Sequence, residues 1–91
     1  MATLVVRHEL ENYETWRQGF NAHEVVRKEH GCTATRVVQD AVEPSIYTVV
    51  MEFPSVAAAQ GFGADPSLQE AMASAGLVGA PRIELYVDAE S

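Results

Sequence analysis

The chain opens on an alternation. Leu4, Val6, His8 and Leu10 fall on one side of residues 3–10 while Val5, Arg7 and Glu9 fall on the other, the period of a β-strand. Asn12 then supplies a side-chain oxygen for a helix N-cap. A helical pattern runs from Tyr13 to about His30, and Gly31 follows where a left-handed C-cap residue is expected. Residues 32–42 are rich in β-branched types, and Glu43-Pro44-Ser45 turns the chain into 46–53, so these two runs predict a hairpin. Its second strand, Ile46 to Phe53, is apolar on both faces, as a central strand covered on both sides would be. Pro54-Ser55 stops that strand and caps a short alanine-rich helix, roughly 55–62, which Gly61 and Gly63 break. Asp65-Pro66 caps a further helix in which Leu68, Ala71, Met72 and Ala75 recur at helical spacing, with Gly76 and Gly79 ending it. Pro81 opens the last strand, where Ile83, Leu85 and Val87 alternate with Arg82, Glu84, Tyr86 and Asp88.

The order is β-α-β-β-α-β with the second helix in two pieces, spread over one domain, 1–91. Two right-handed crossovers interleaved in this way give a four-stranded antiparallel sheet with the helices on one face, an α+β fold of the ferredoxin-like kind. The opposite sheet face is then bare. Because Val49, Met51 and Phe53 alternate with Ile46, Thr48 and Val50, either phase exposes apolar side chains, and a second copy packed by a two-fold axis would cover them. A homodimeric α+β barrel is therefore expected, with room for a cavity in each protomer between sheet and helices.

The first helix carries the most informative stripe. Tyr13, Trp16, Phe20, His23 and Arg27 lie within about 80° of arc, so one face begins aromatic and ends with an imidazole and a guanidinium. A neutral imidazole at the inner end of such a stripe suits acid or base chemistry near pH 7, or else is a core histidine satisfied by a carbonyl or carboxylate. Arg27 would hold a substrate carboxylate or enolate, or instead pair with Glu24 or a strand acid. His8 is in phase with the buried side of the first strand and either meets His23 across a cavity or faces the dimer interface. His30 lies about 10.5 Å along the helix from His23, too far for both to bind one metal directly, and suits the helix dipole in the last turn. Trp16 and Phe20 are core residues or the wall of a planar-ligand site; Tyr47 and Tyr86 are strand phenols that would reach a ligand or form rim aromatics.

Composition narrows the classes. Ninety-one residues at 47% apolar content suffice for one modest core. The net charge of −7, with six Lys and Arg among thirteen acids, excludes the basic surface that nucleic acid requires. The start of the chain carries no basic and apolar leader pattern, and no apolar run is long enough to span a bilayer. The single Cys32 cannot form an internal disulfide and follows a helix C-terminus, where a thiolate is disfavoured. A cytoplasmic setting is expected, with no membrane partner. Phosphate loops, dinucleotide fingerprints, nucleophile elbows and metal-ligand clusters are lacking in the sequence, so no metal and no cofactor are called for.

The stretches NYETWRQGFNAHEVVRKEHG and ADPSLQEAMASAGLVGAP make the chain similar, over nearly its whole length, to the dimeric α+β barrel superfamily and in particular to an uncharacterised branch of its antibiotic-biosynthesis monooxygenase-like group. That resemblance implies a homodimer and a small hydrophobic or aromatic ligand. Its members include cofactor-free monooxygenases and polyketide cyclases, haem-degrading enzymes and proteins of unknown role, without one shared catalytic motif. Haem degradation fits less well, since the expected helical histidine with asparagine and tryptophan is not matched. Two functions follow as expectations. One is a cofactor-independent enzyme of monooxygenase or cyclase type in which His23, with His8, moves a proton while Arg27, Trp16, Phe20, Tyr47 and Tyr86 bind an aromatic or polyketide-like substrate. The other is a non-catalytic dimer that binds a small hydrophobic molecule or a protein.

Overall fold

The computed structural model describes residues 1–90. Its elements are β1 (Ala2–Leu10), α1 (Tyr13–Ala22), α2 (Glu24–Glu29), β2 (Ala34–Gln39), β3 (Ile46–Phe53), α3 (Val56–Gly63), α4 (Pro66–Ser74) and β4 (Leu77–Val87). The sheet runs β2-β3-β1-β4 with every neighbouring pair antiparallel, the ferredoxin-like order. Of the two apolar faces of β3, the helices take the one that carries Val49, Met51 and Phe53. Ala2, Leu4, His8 and Leu10 of β1 and Val49, Met51 and Phe53 of β3 are buried beneath them. Trp16, Ala59 and Phe62 complete the core from the helical side.

The remaining sheet face is more polar than its β3 residues alone suggest. Ile46, Val50, Val5 and Val38 lie there half-buried, but Thr3 donates a hydrogen bond to Glu52, and Arg7 reaches Asp40 at 3.1 Å. Cross-strand polar pairs thus break the apolar surface into a band.

Local signals set most boundaries. Asn12 Oδ1 accepts from the Thr15 amide at 3.0 Å, Ser55 Oγ from Ala58 at 3.1 Å, and Asp65 Oδ1 from Ser67 at 2.8 Å, so each of these N-caps satisfies a helix donor. Gly31, at φ 89°, closes α2 in a Schellman arrangement: its amide bonds to Lys28 O and that of Cys32 to Arg27 O.

Two boundaries differ from expectation. The long helix is interrupted at His23, whose φ of −85° and ψ of 1° end α1 and begin α2. Amphipathic periodicity carries straight through such a one-residue pause, because the stripe keeps its side. At the other end, β4 begins at Leu77 rather than Pro81. Arg7 pairs with Arg82 but Glu9 pairs with Val78, so β4 bulges through the segment that holds Gly79, at φ 75°, and Pro81, which has no amide to donate. The residues that read as a helix stop and a strand start are instead a kink inside one strand.

Phe62 joins the layers. It is 2% exposed, lies 5.6 Å from Phe53 between ring centroids, and also packs on His23 and His30. Phe62→Ala is expected to cost about 3–5 kcal/mol by leaving a cavity that its neighbours cannot close, measured by urea denaturation. A loss under about 1 kcal/mol would show that the layers do not depend on this contact.

Candidate functional site

Between the helices and the sheet lies a cavity of about 430 Å³. Leu4, Val6, His8, Val49 and Met51 form its floor; Trp16, Phe20 and Phe62 form one wall, and Leu68, Ala71, Met72 and Ala75 of α4 the other. The β4 bulge shapes the mouth, where Pro81 and Ile83 line the opening and Ile83 stays 55% exposed. In α4 no residue is fully buried, which is why this side of the helix layer encloses space rather than packed core.

Three polar groups on the lining, His8, His23 and Arg27, are those the sequence pattern points to. His8 is 6% exposed and sits on the helix face of β1, which answers whether it turns inward. Its Nδ1 is 2.9 Å from Tyr47 O, and a carbonyl can only accept, so Nδ1 carries the proton and Nε2 keeps a lone pair. Burial holds the imidazole below its usual titration range, with the carbonyl bond working the other way, and the ring meets Trp16 edge-on at 5.2 Å.

His23 is held through a relay. Its Nε2 is 3.1 Å from Ser67 Oγ, and that hydroxyl is 2.7 Å from Asp65 Oδ1. An ionised Asp65 can only accept, so Ser67 gives its one proton to the carboxylate and accepts from His23 Nε2–H. Nδ1 of His23 is left with the lone pair. Asp65 Oδ2 also accepts from His30 Nε2 at 2.8 Å. The bonds from His30 and from the Ser67 hydroxyl and amide hold the Asp65 carboxyl at about 2. Burial lowers the His23 titration, and nearby Arg27 lowers it further, while Asp65 opposes both. Both imidazoles are therefore neutral near pH 7.

Arg27 is 5% exposed, and its Nη1 donates to Phe20 O at 2.8 Å. Its guanidinium lies 3.8 Å from the centre of the Phe20 ring, which stacks on Trp16 at 4.8 Å. The pairing with Glu24 considered from sequence goes to Lys28 instead, at 3.3 Å. Tyr47 stacks on Tyr13 at 4.6 Å and accepts a hydrogen bond from Gln39, and it does not line the cavity. Tyr86 is exposed beside Glu84, and its pairing with Thr3 puts it on the opposite sheet face. The structure thus gathers His8, His23, Arg27, Trp16 and Phe20 and leaves both tyrosines out. Ser67 enters unannounced, 44 residues from His23, while Asp65, which reads from sequence as a helix cap, and His30, which reads as a cation on the helix dipole, join it in one relay.

No protein-family model matches the sequence, and no curated protein matches it. Solved structures do. A Caulobacter crescentus protein provisionally assigned as an antibiotic biosynthesis monooxygenase superposes with a TM-score of 0.80 at 20% identity, covering 98% of this chain and 90% of its own. A similarly assigned Deinococcus radiodurans protein gives 0.76 at 18% identity over 100% and 95% of the two chains. SnoaB, a cofactor-independent oxygenase from Streptomyces nogalater, gives 0.79 at 12% identity over 99% and 94%. The fold is that of the antibiotic-biosynthesis monooxygenase-like proteins. At these identities the likeness is one of fold.

The relay has a pH signature. Asp65 titrates at about 2 when folded against an ordinary 3.8, so its contribution to stability is complete above about pH 4 and is lost as pH falls toward about 2. Asp65→Asn should remove that part of the acid-unfolding profile. In an NMR titration the His8 and His23 rings should titrate below 6.5. Midpoints at or above 6.5 would contradict the neutral assignment.

Proposed function

We propose that the chain is a small cofactor-independent enzyme, of monooxygenase or cyclase type, that acts on an aromatic or polyketide-like substrate in this cavity. One observation carries the reading: two neutral histidines, each with its other nitrogen already committed, line a single aromatic-walled apolar cavity. An activated C–H or phenolic O–H loses its proton to His23 Nδ1 or His8 Nε2, and an enolate or phenolate forms. Arg27 binds a negatively charged group of the substrate, and Trp16 and Phe20 hold the ring plane. Such an anion reacts with dioxygen in the first type and with a second carbonyl of the same molecule in the other. The fold shared with SnoaB, a cofactor-independent oxygenase, supports this reading.

A hydroxyanthrone serves as probe, because conversion of its methylene to a carbonyl consumes one dioxygen, releases one water and changes the absorbance. His23→Gln, which retains a donor toward Ser67, is expected to lower turnover roughly 10²–10⁴-fold with an unchanged melting temperature. Equal turnover would favour the non-catalytic ligand-binding alternative.

A homodimer belongs to the same proposal. The half-buried band of Val5, Val38, Ile46 and Val50 on the open sheet face is the surface that a second copy covers. Sedimentation is expected to give a dimer at micromolar concentration, and a stable monomer there would remove this part of the proposal.

A further inference from the structure

The apolar cavity has a cationic neighbour. Arg17, Arg27, Lys28 and Arg36, four of the chain's six basic residues, line an open groove between α1–α2 and β2. In a chain of net charge −7 this is a marked segregation of positive charge. The groove's acidic side chain, Glu24, is engaged by Lys28. Phe20 and Arg27 line both spaces and form the partition between them.

Arg27 is the unusual member. Its guanidinium is nearly all buried, yet among the described residues it forms no ion pair, and the Phe20 carbonyl takes only Nη1. No buried side-chain nitrogen or oxygen is sealed without a partner among the described residues, so the remaining guanidinium nitrogens border open space. A guanidinium stays charged at any ordinary pH, and a buried charge without a counter-ion is costly. Its planar fork matches the two oxygens of a carboxylate.

We propose that Arg27 receives the carboxylate of an aromatic acid whose ring system occupies the adjoining cavity against Phe20 and Trp16, with Lys28 and Arg36 attracting the anion from the groove. This names the substrate class and rests on the reading above for the cavity's occupant.

The test is calorimetric titration of the intact chain with 2-naphthoate and with its neutral counterpart, 2-naphthamide, at low salt. The acid is expected to bind at least about tenfold tighter, as a charge-assisted pair at a partly buried site implies. Arg27→Gln should bring the acid to the affinity of the amide and leave the amide within about twofold. Because Arg27 is buried, the exposed pair Lys28→Gln/Arg36→Gln gives a second measure: the acid weakens about threefold, the amide does not change, and added salt no longer weakens the acid as strongly. Equal binding of acid and amide overturns the carboxylate inference and leaves the enzyme reading to the His23→Gln turnover assay. Binding of neither, or equal losses of both ligands in the variants, also overturns it.

Discussion

The packing of Phe62 is the contact on which the arrangement turns. The ring lies against Phe53 of the sheet and against His23 and His30 of the first helical pair, so one side chain sets the distance between three elements. With α3 fixed there, the short step through Ala64 delivers Asp65 to His30 and Ser67 to His23. Hydrophobic burial thus brings the polar relay together, and the relay then orients the imidazole.

Electrostatics in the site follows from what burial tolerates. A histidine can shed its charge, and both cavity histidines do so at little cost near neutral pH. Arginine cannot, and Arg27 is sheltered instead by the π-face of Phe20 and one carbonyl. Asp65 remains ionised at the periphery, where it serves the amide of Ser67, the hydroxyl of Ser67 and the ring of His30 together. Removing any of these donors therefore affects a helix cap and the orientation of His23 at once.

Much of the fold was legible in the chain. The alternation of Leu4, Val6, His8 and Leu10, the caps at Asn12, Ser55 and Asp65, and the stop at Gly31 are local signals, and local geometry honours them. Gly79 and Pro81 misled because the same residues punctuate helices and bulges alike; only the pairing with β1 distinguishes the two. The pause at His23 was invisible for a related reason, since the side-chain stripe survives it. Within the site, Trp16, Phe20, His23 and Arg27 were legible because helical periodicity aligns them. Tyr47 and Tyr86 carry suitable chemistry, but the one is taken by Tyr13 and the other lies across the sheet.

By itself the sequence determined the order of the elements, which residues of each strand share a face and the line of residues along α1, because those depend on periods of two and 3.6 residues. Tertiary structure alone decided that His8 and His23 border one cavity, that Ser67 and Asp65 choose the tautomer of His23, and that Arg27 faces open space rather than an acid. These are relations between residues far apart in the chain. They arise from where packing stops, and no local spacing encodes that.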